Sequence, residues 1–345
     1  IVRLLRPAPP EIHLPTDREM ADADAVVAAQ TSTTPFLVYL RDKTLLFSED
    51  RSGFIMYGVQ GKSWVAMGGP IGAPEVHLEL IRAYLERVDD YGGWPVFYQL
   101  PPGRLHLLAD YGLTFAKLGE EATVPLERFS LDGAERKPLR LAVNRFEKAG
   151  GTFRIVPQEE VRPLLPRLRE VSDAWLERKR AGEKGFSLGF FDEDYLTRFP
   201  VAVAEVEGRV VAFANLWPGA NREQLSVDLM RFGPGMSKNI NMMDVVFSHL
   251  MLWGKAEGYQ WFNLGMAPLS GLEASAVSPL RTKLGSFVFR HGGAFYNFEG
   301  LRQYKGKFDP VWEPRYLAYP GGLALPRILA DVTALVAGGY RRVFR

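Results

Sequence analysis

Two rhythms of apolar and polar positions run along the chain, and their order outlines a fold. Thr16 and Asp17 can cap a helix over residues 17–30. Apolar runs at 36–40, 44–48 and 54–60, rich in aromatic and branched residues, then read as strands. Gly61 and Lys62 turn the last of these into a strand over 63–68, and helical spacing follows over 74–91. A strand at 95–100, a short helix at 104–111 and strands at 113–118 and 121–126 complete one α/β unit.

After a polar, turn-rich stretch at 130–138 the order begins again. Helix 138–149 and strand 152–156 precede a basic helix near 162–180 and a short helix at 192–198. Strands at 201–206, 209–217 and 222–230, a helix at 240–257 and a strand at 260–264 complete the second round. Helix, antiparallel meander, helix, strand is the element order of the acyl-CoA N-acyltransferase-like (GNAT) fold. The expectation is an α+β protein of two similar units, 1–134 and 135–345, with a C-terminal helix; element order alone leaves other α+β arrangements open beside the GNAT fold. That helix, around Leu325, Ile328, Leu329 and Val332, is expected to pack on the second unit; the rival is an interfacial helix presenting Arg341, Arg342 and Arg345 to a membrane.

Composition narrows the chemistry. With no Cys, a thiolate nucleophile, a disulfide scaffold and every Cys-ligated metal site are excluded. The five histidines stand without ligand spacing, so a metal is not expected. Gly61, Lys62 and Ser63 resemble the end of a phosphate-binding loop, but Met56 occupies the first glycine's place, and a strand turn accounts for the triplet. The net charge of +2 hides a segregation: 12 basic against 18 acidic residues in 1–134, and 30 against 22 in 135–345. An anionic partner for the second half follows. No apolar stretch reaches the roughly 18 residues of a membrane span, and the start at Ile1, Val2 and Arg3 reads as cut from a longer chain.

Several runs carry a specific resemblance: Arg140–Gly150 (RLAVNRFEKAG), Glu183–Gly189 (EKGFSLG), Val227–Arg231 (VDLMR), Phe262–Pro268 (FNLGMAP), Phe295–Arg302 (FYNFEGLR) and Trp312–Pro320 (WEPRYLAYP). Together they resemble the aminoacyl-phosphatidylglycerol synthases, most specifically over 138–320. The resemblance implies a catalytic region of tandem GNAT-like units at the cytoplasmic face of a bacterial membrane, behind an upstream transmembrane domain. It also implies transfer of alanine or lysine from aminoacyl-tRNA to the glycerol hydroxyl of phosphatidylglycerol, lowering membrane negative charge and giving resistance to cationic peptides, without a cofactor. The sequence departs from the family between Arg231 and Asp244, where the loop is about two residues longer.

An aminoacyl ester is already activated, so the reaction needs alignment, one proton transfer and stabilisation of an oxyanion. Asp228 and Arg231 flank the end of a strand, where odd spacing sends them to opposite faces unless a bulge intervenes. Glu299, read as lying in a strand-like run, and Lys305 beyond a turn are expected to pair a carboxylate for the amino group with a cation for phosphate or oxyanion. Asp228, Arg231, Glu299 and Lys305 are the catalytic candidates, and Tyr195, Asp244, Arg281 and Lys283 the substrate-binding ones. Arg140, Arg145, Lys148, Arg178, Lys179 and Arg180 form two basic groups suited to a tRNA backbone. Three rivals remain: a Fem-type aminoacyltransferase acting on a peptidoglycan precursor, a CoA-dependent N-acetyltransferase using Arg231–Gly235 as a pyrophosphate loop, and a basic adaptor without turnover.

Overall fold

The computed structural model describes residues 12–179, 182–233, 240–271 and 298–339. Strands β1 (Thr44–Phe47), β2 (Gly53–Gln60), β3 (Ser63–Met67), β4 (Ile71–Gly72), β5 (Trp94–Leu100) and β6 (Thr114–Pro125) belong to the first unit. The second supplies β7 (Gly151–Val156), β8 (Val201–Val206), β9 (Arg209–Pro218), β10 (Gln224–Phe232) and β11 (Trp261–Pro268), and β12 (Val311–Tyr319) comes last. All twelve join in one mixed sheet of order β1-β2-β3-β5-β12-β6-β11-β10-β9-β8-β7, with β4 beside β2. The helices are α1 (Asp17–Val27), α2 (His77–Asp90), α3 (Lys137–Lys148), α4 (Leu165–Lys179), α5 (Glu193–Leu196), α6 (Met242–Ala256), α7 (Phe298–Gly306) and α8 (Leu325–Ala337). None of the described helices is long and apolar enough to cross a membrane.

Strand alternation explains the layering. Phe54 and Met56 of β2 join a core with Val65, Met67 and α8, whereas Ile55 and Tyr57 join Trp64, Ala66 and α2 on the other face. In the second unit Ala202 and Ala204 face α3 and α6, while Val201 and Val203 face α4. A sheet covered on both faces needs apolar residues at consecutive positions, which is how these strands read. The expected α+β class with two GNAT-like units is therefore what the chain adopts. Thr16 caps α1 as expected: its side chain accepts from Glu19 N–H at 3.3 Å, and the Glu19 carboxylate accepts from Thr16 N–H at 2.8 Å.

Four local expectations are corrected. Residues 36–40 belong to a buried 3₁₀ helix, Thr34–Leu40, because Pro35 starts a helical turn and denies a strand its donor. The two strands expected around Gly119 are one, β6; a Cβ on Gly119 would stand 2.3 Å from the Ala267 carbonyl, so the glycine marks a close backbone approach and not a break. Strand β12 is hidden in the sequence by Pro314, which sits where β12 pairs β6 and before its pairing with β5 begins at Tyr316. Helix α8 packs on β2 and β3 of the first unit, where buried Asp331 accepts from Ser63 Oγ at 2.7 Å. Residues 311–337, counted with the second unit by a division at 134/135, thus cross back to the first. Arg341, Arg342 and Arg345 lie outside the described residues.

Candidate functional site

The site begins where two parallel strands part. β10 and β11 pair through Gln224–Ser226 and Trp261–Asn263, after which β10 follows β9 and β11 follows β6. Each bulges at the parting, β10 between Val227 and Met230 and β11 between Asn263 and Met266. Backbone groups released from a ladder need other partners, and side chains provide them. Ser226 Oγ donates to the Asn263 carbonyl at 2.9 Å, Asn215 Oδ1 accepts from Leu229 N–H at 2.8 Å, and Asn263 Oδ1 accepts from Gly265 N–H at 2.7 Å. Lys305 of α7 donates to the carbonyls of Gly265 and Met266 at 2.8 and 2.9 Å.

The β10 bulge brings Asp228 and Arg231 to one strap, residues 183–191, that runs between α4 and α5. Asp228 Oδ1 accepts from Gly189 N–H at 2.8 Å, and its Oδ2 accepts from the Tyr195 hydroxyl at 2.5 Å. Trp217 Nε1 donates in turn to the Tyr195 oxygen at 3.1 Å. Burial pushes the Asp228 carboxyl up to about 6, against the pull of Tyr195, Gly189 N–H and the charges of Lys43 and Arg231. It is thus ionised at neutral pH yet able to take a proton. Tyr195 itself is buried, its ring edge-on to Phe199 at 5.3 Å, and burial beside Asp228 holds its hydroxyl protonated.

Arg231 pairs with Glu183 at 2.7 Å and lies over the Trp175 ring at 4.0 Å. Lys184 follows Glu183, and burial together with Arg231 lowers its affinity for a proton. On the β11 side, burial brings Lys305 down to about 7, opposed by Glu121. Glu121 pairs with Arg315 of β12. The opening is therefore bordered by one titratable carboxylate and one titratable amine, each near neutrality, a combination suited to general acid–base chemistry.

Other sequence-derived candidates lie elsewhere. Asp244 is buried in the first turn of α6, 3.3 Å from Lys307, and with Arg145, Lys137 and Asn241 lines a cleft of about 330 Å³ between α3 and α6. Arg140 holds the carbonyls of Leu131 and Gly133, so it ties down the inter-unit linker. Lys148 is exposed at the end of α3 and Lys179 at the end of α4. Arg178 donates to the Phe232 carbonyl at 3.1 Å and covers its ring. The strand expected through Glu299 is corrected to helix from Phe298 onward, since the family run 295–302 feeds α7. Arg180, Arg281, Lys283 and the Glu299 side chain lie outside the described residues, as does half of the loop 232–243, residues 234–239. No cluster of acidic or histidine side chains among the described residues is arranged to hold a metal ion. Sequence reasoning missed Lys43, Asp42, Trp175 and Gly189 as site residues; only Gly189 carried a signal, as the end of a family run.

Comparisons with known proteins bear on the family and the fold. A family model described as phosphatidylglycerol lysyltransferase, C-terminal, matches residues 25–319. The chain belongs to the phosphatidylglycerol lysyltransferase C-terminal family. The resemblance read from the sequence therefore holds. Phosphatidylglycerol lysyltransferase from Staphylococcus aureus (strain MRSA252) is 36% identical over 301 residues, 87% of this chain and 35% of that protein. The chain thus spans well under half the length of the curated relatives it matches. Among solved structures, the C-terminal domain of a putative lysylphosphatidylglycerol synthetase from Agrobacterium fabrum superimposes with a TM-score of 0.84 at 40% identity, over 94% of this chain and 99% of that one. L-PGS from Bacillus licheniformis gives 0.85 at 38% identity, over 97% and 100%. FemX, at 10% identity and a TM-score of 0.54 over 92% of this chain and 99% of that one, shares the fold alone with this lysyltransferase-family chain.

Proposed function

We propose that the chain transfers an aminoacyl group, alanine or lysine, from aminoacyl-tRNA to the glycerol hydroxyl of phosphatidylglycerol, and that the transfer takes place where β10 and β11 part. The observation that carries this reading is the half-buried Asp228 at that opening, whose carboxylate accepts from Tyr195 and Gly189 and which desolvation raises to about 6. Family membership supports the acceptor and the reaction class. In this reading ionised Asp228 accepts the proton of the glycerol hydroxyl as its oxygen attacks the ester carbonyl. The ester bond to the tRNA ribose breaks, and the proton returns to the departing ribose oxygen. Arg231 and Lys184 provide positive charge for a phosphodiester, and Lys305 stands on the far side of the opening as a second proton donor or charge.

The exposed residues Arg145 and Lys148 of α3 are assigned to the tRNA backbone, with Arg178 and Lys179 at the end of α4 as the second group. The first unit is assigned to lipid access and the second to chemistry. A membrane-embedded partner segment, on the cytoplasmic side of which this chain works, accords with the greater length of the relatives.

The test supplies purified protein with phosphatidylglycerol vesicles and, separately, labelled alanyl- and lysyl-tRNA. Label passing into the organic phase with one of the two donors is the expected result. Label staying on tRNA in both reactions overturns the reading, and label on a peptidoglycan precursor instead would transfer it to the Fem-type alternative.

A further inference from the structure

Asp228 lies in the second unit, but part of its surroundings comes from the first. Lys43, immediately before β1, is 2% exposed. Its ammonium donates to the Leu37 carbonyl at 3.0 Å and to Asp42 Oδ1 at 2.5 Å, and lies 5.7 Å from the Phe186 ring centre. The other oxygen of Asp42 accepts from Phe186 N–H at 2.6 Å. Phe186 is in the middle of the strap and has a positive φ of 60°, a conformation that disfavours any residue with a Cβ and persists only when its surroundings hold it. Three residues further on, Gly189 N–H reaches Asp228. A Cβ on Gly189 would stand 1.9 Å from Asp228 Oδ2, so strap and carboxylate meet at the closest approach the backbone permits. Lys43 and Asp228 attract one another across this gap.

A buried lysine is ordinarily disfavoured, and removing one partner of a buried pair leaves the other uncompensated. Packing alone does not call for a lysine at position 43, since a neutral side chain of similar length would fill the same space. Its charge is needed because two carboxylates, Asp42 and Asp228, are buried or half-buried around it. We propose that Lys43 and Asp42 of the first unit are positioning residues for Asp228: Asp42 clamps the strap through Phe186, and Lys43 is the countercharge that keeps the Asp228 carboxylate ionised. The proposal rests on Asp228 being the working carboxylate, as in the reading above. It gives the first unit a direct part in the chemistry through residues that touch no substrate.

Among the described residues, the groups facing Asp228 are the Tyr195 hydroxyl from α5, Gly189 N–H from the strap, Arg231 from its own strand and Lys43 from the first unit. Glu183 acts on it only through Arg231, and Trp217 only through Tyr195. Loss of the Lys43 charge leaves burial less opposed, so the Asp228 midpoint must rise. The full chain with ¹³C-labelled aspartate, its Asp228 carboxyl signal identified by its absence in Asp228→Asn, reads that midpoint directly. Lys43→Met is expected to raise it by about one pH unit or more, and Lys43→Arg to restore it. The acidic limb of kcat for lipid aminoacylation should move by the same amount, with KM for phosphatidylglycerol unchanged. Should Lys43→Met fail to fold, Lys43→Gln, which keeps a donor for Leu37 and Asp42, must shift the midpoint in the same direction. A folded variant of either kind that titrates at the wild-type midpoint overturns the proposal. Wild-type protein that transfers nothing would instead overturn the lipid reading, while the titration still decides the role of Lys43.

Discussion

The two units contain the same crossover and use it in opposite ways. In the first, β3 and β5 run parallel and stay paired from Ser63–Trp94 to Met67–Tyr98. Gly68 N–H continues the closure by donating to the Tyr98 carbonyl at 2.8 Å. Beneath that closed pair Tyr57 stacks on Trp64, and Tyr84 meets Tyr57 and Phe97 edge-on. In the second, β10 and β11 separate after three residue pairs, and the released backbone is satisfied by Ser226, Asn215, Asn263 and Lys305. Closing a ladder pairs the backbone groups chiefly with one another and leaves the core beneath to mostly aromatic and aliphatic side chains. Opening it requires buried polar side chains, which in turn create a place where a carboxylate can be held near half-ionisation.

The largest expected effect follows from Asp228. Asp228→Asn keeps the shape and removes the charge, and should lower lipid aminoacylation by about 100-fold or more while leaving the circular dichroism spectrum unchanged. Stability should move the other way. Burial raises this carboxyl from its ordinary 3.8 to about 6, so its contribution to folding is full below the ordinary value and is lost as pH rises through 6. That loss amounts to about 3 kcal/mol at most. At pH 7.5 the Asn variant should therefore unfold at equal or higher urea than wild type. Unchanged activity would mean that the open pair is no more chemical than the closed one.

Next comes the strap. Gly189→Ala places a methyl carbon 1.9 Å from an Asp228 oxygen, so either strap or carboxylate must shift. Activity is expected to fall by about tenfold or more, because catalytic geometry tolerates little displacement. The control belongs to the first unit: a methyl group on Gly103 would meet nothing within 4 Å, and Gly103→Ala should stay within about 0.5 kcal/mol of wild type with full activity. Arg231→Lys should have a smaller effect, a several-fold loss in initial-rate assays, since an ammonium preserves the charge opposite Glu183 but not the planar stack on Trp175.

How much of this contrast can be read from the residues alone depends on how local each cause is. The duplicated order, most strand positions and the need for a bulge between Asp228 and Arg231 are encoded in runs of fewer than ten residues, and periodicity reveals them. β12 was illegible because Pro314 breaks the strand pattern and its partners lie about 195 residues upstream. The same holds for Lys43. In sequence Arg41, Asp42 and Lys43 look like a solvated turn, and only the contact with Phe186, 144 residues on from Asp42, makes the lysine buried and its charge consequential. A strand reading of 295–299 draws Glu299 and Lys305 together; with helix from Phe298, Lys305 serves two carbonyls of the β11 bulge. Side chains that replace lost ladder bonds leave no period in the sequence, since each answers a backbone group in a distant strand.

The smallest expected effect tests the closed side. Tyr84 is fully buried on α2, and its hydroxyl donates to the Trp64 carbonyl at 2.7 Å. That carbonyl belongs to β3, within the stretch that stays paired with β5. Tyr84→Phe removes the donor and keeps the ring that packs edge-on to Phe97 at 5.1 Å. The loss should be about 1 kcal/mol, the ordinary net value of one buried hydrogen bond, read as a lower urea midpoint with an unchanged slope. Lipid aminoacylation per folded molecule should not change, because Tyr84 lies in the core on the face of β3 and β5 opposite Phe186 and the strap. A drop in turnover without a drop in stability would show that closure in the first unit and opening in the second are mechanically linked through the shared sheet.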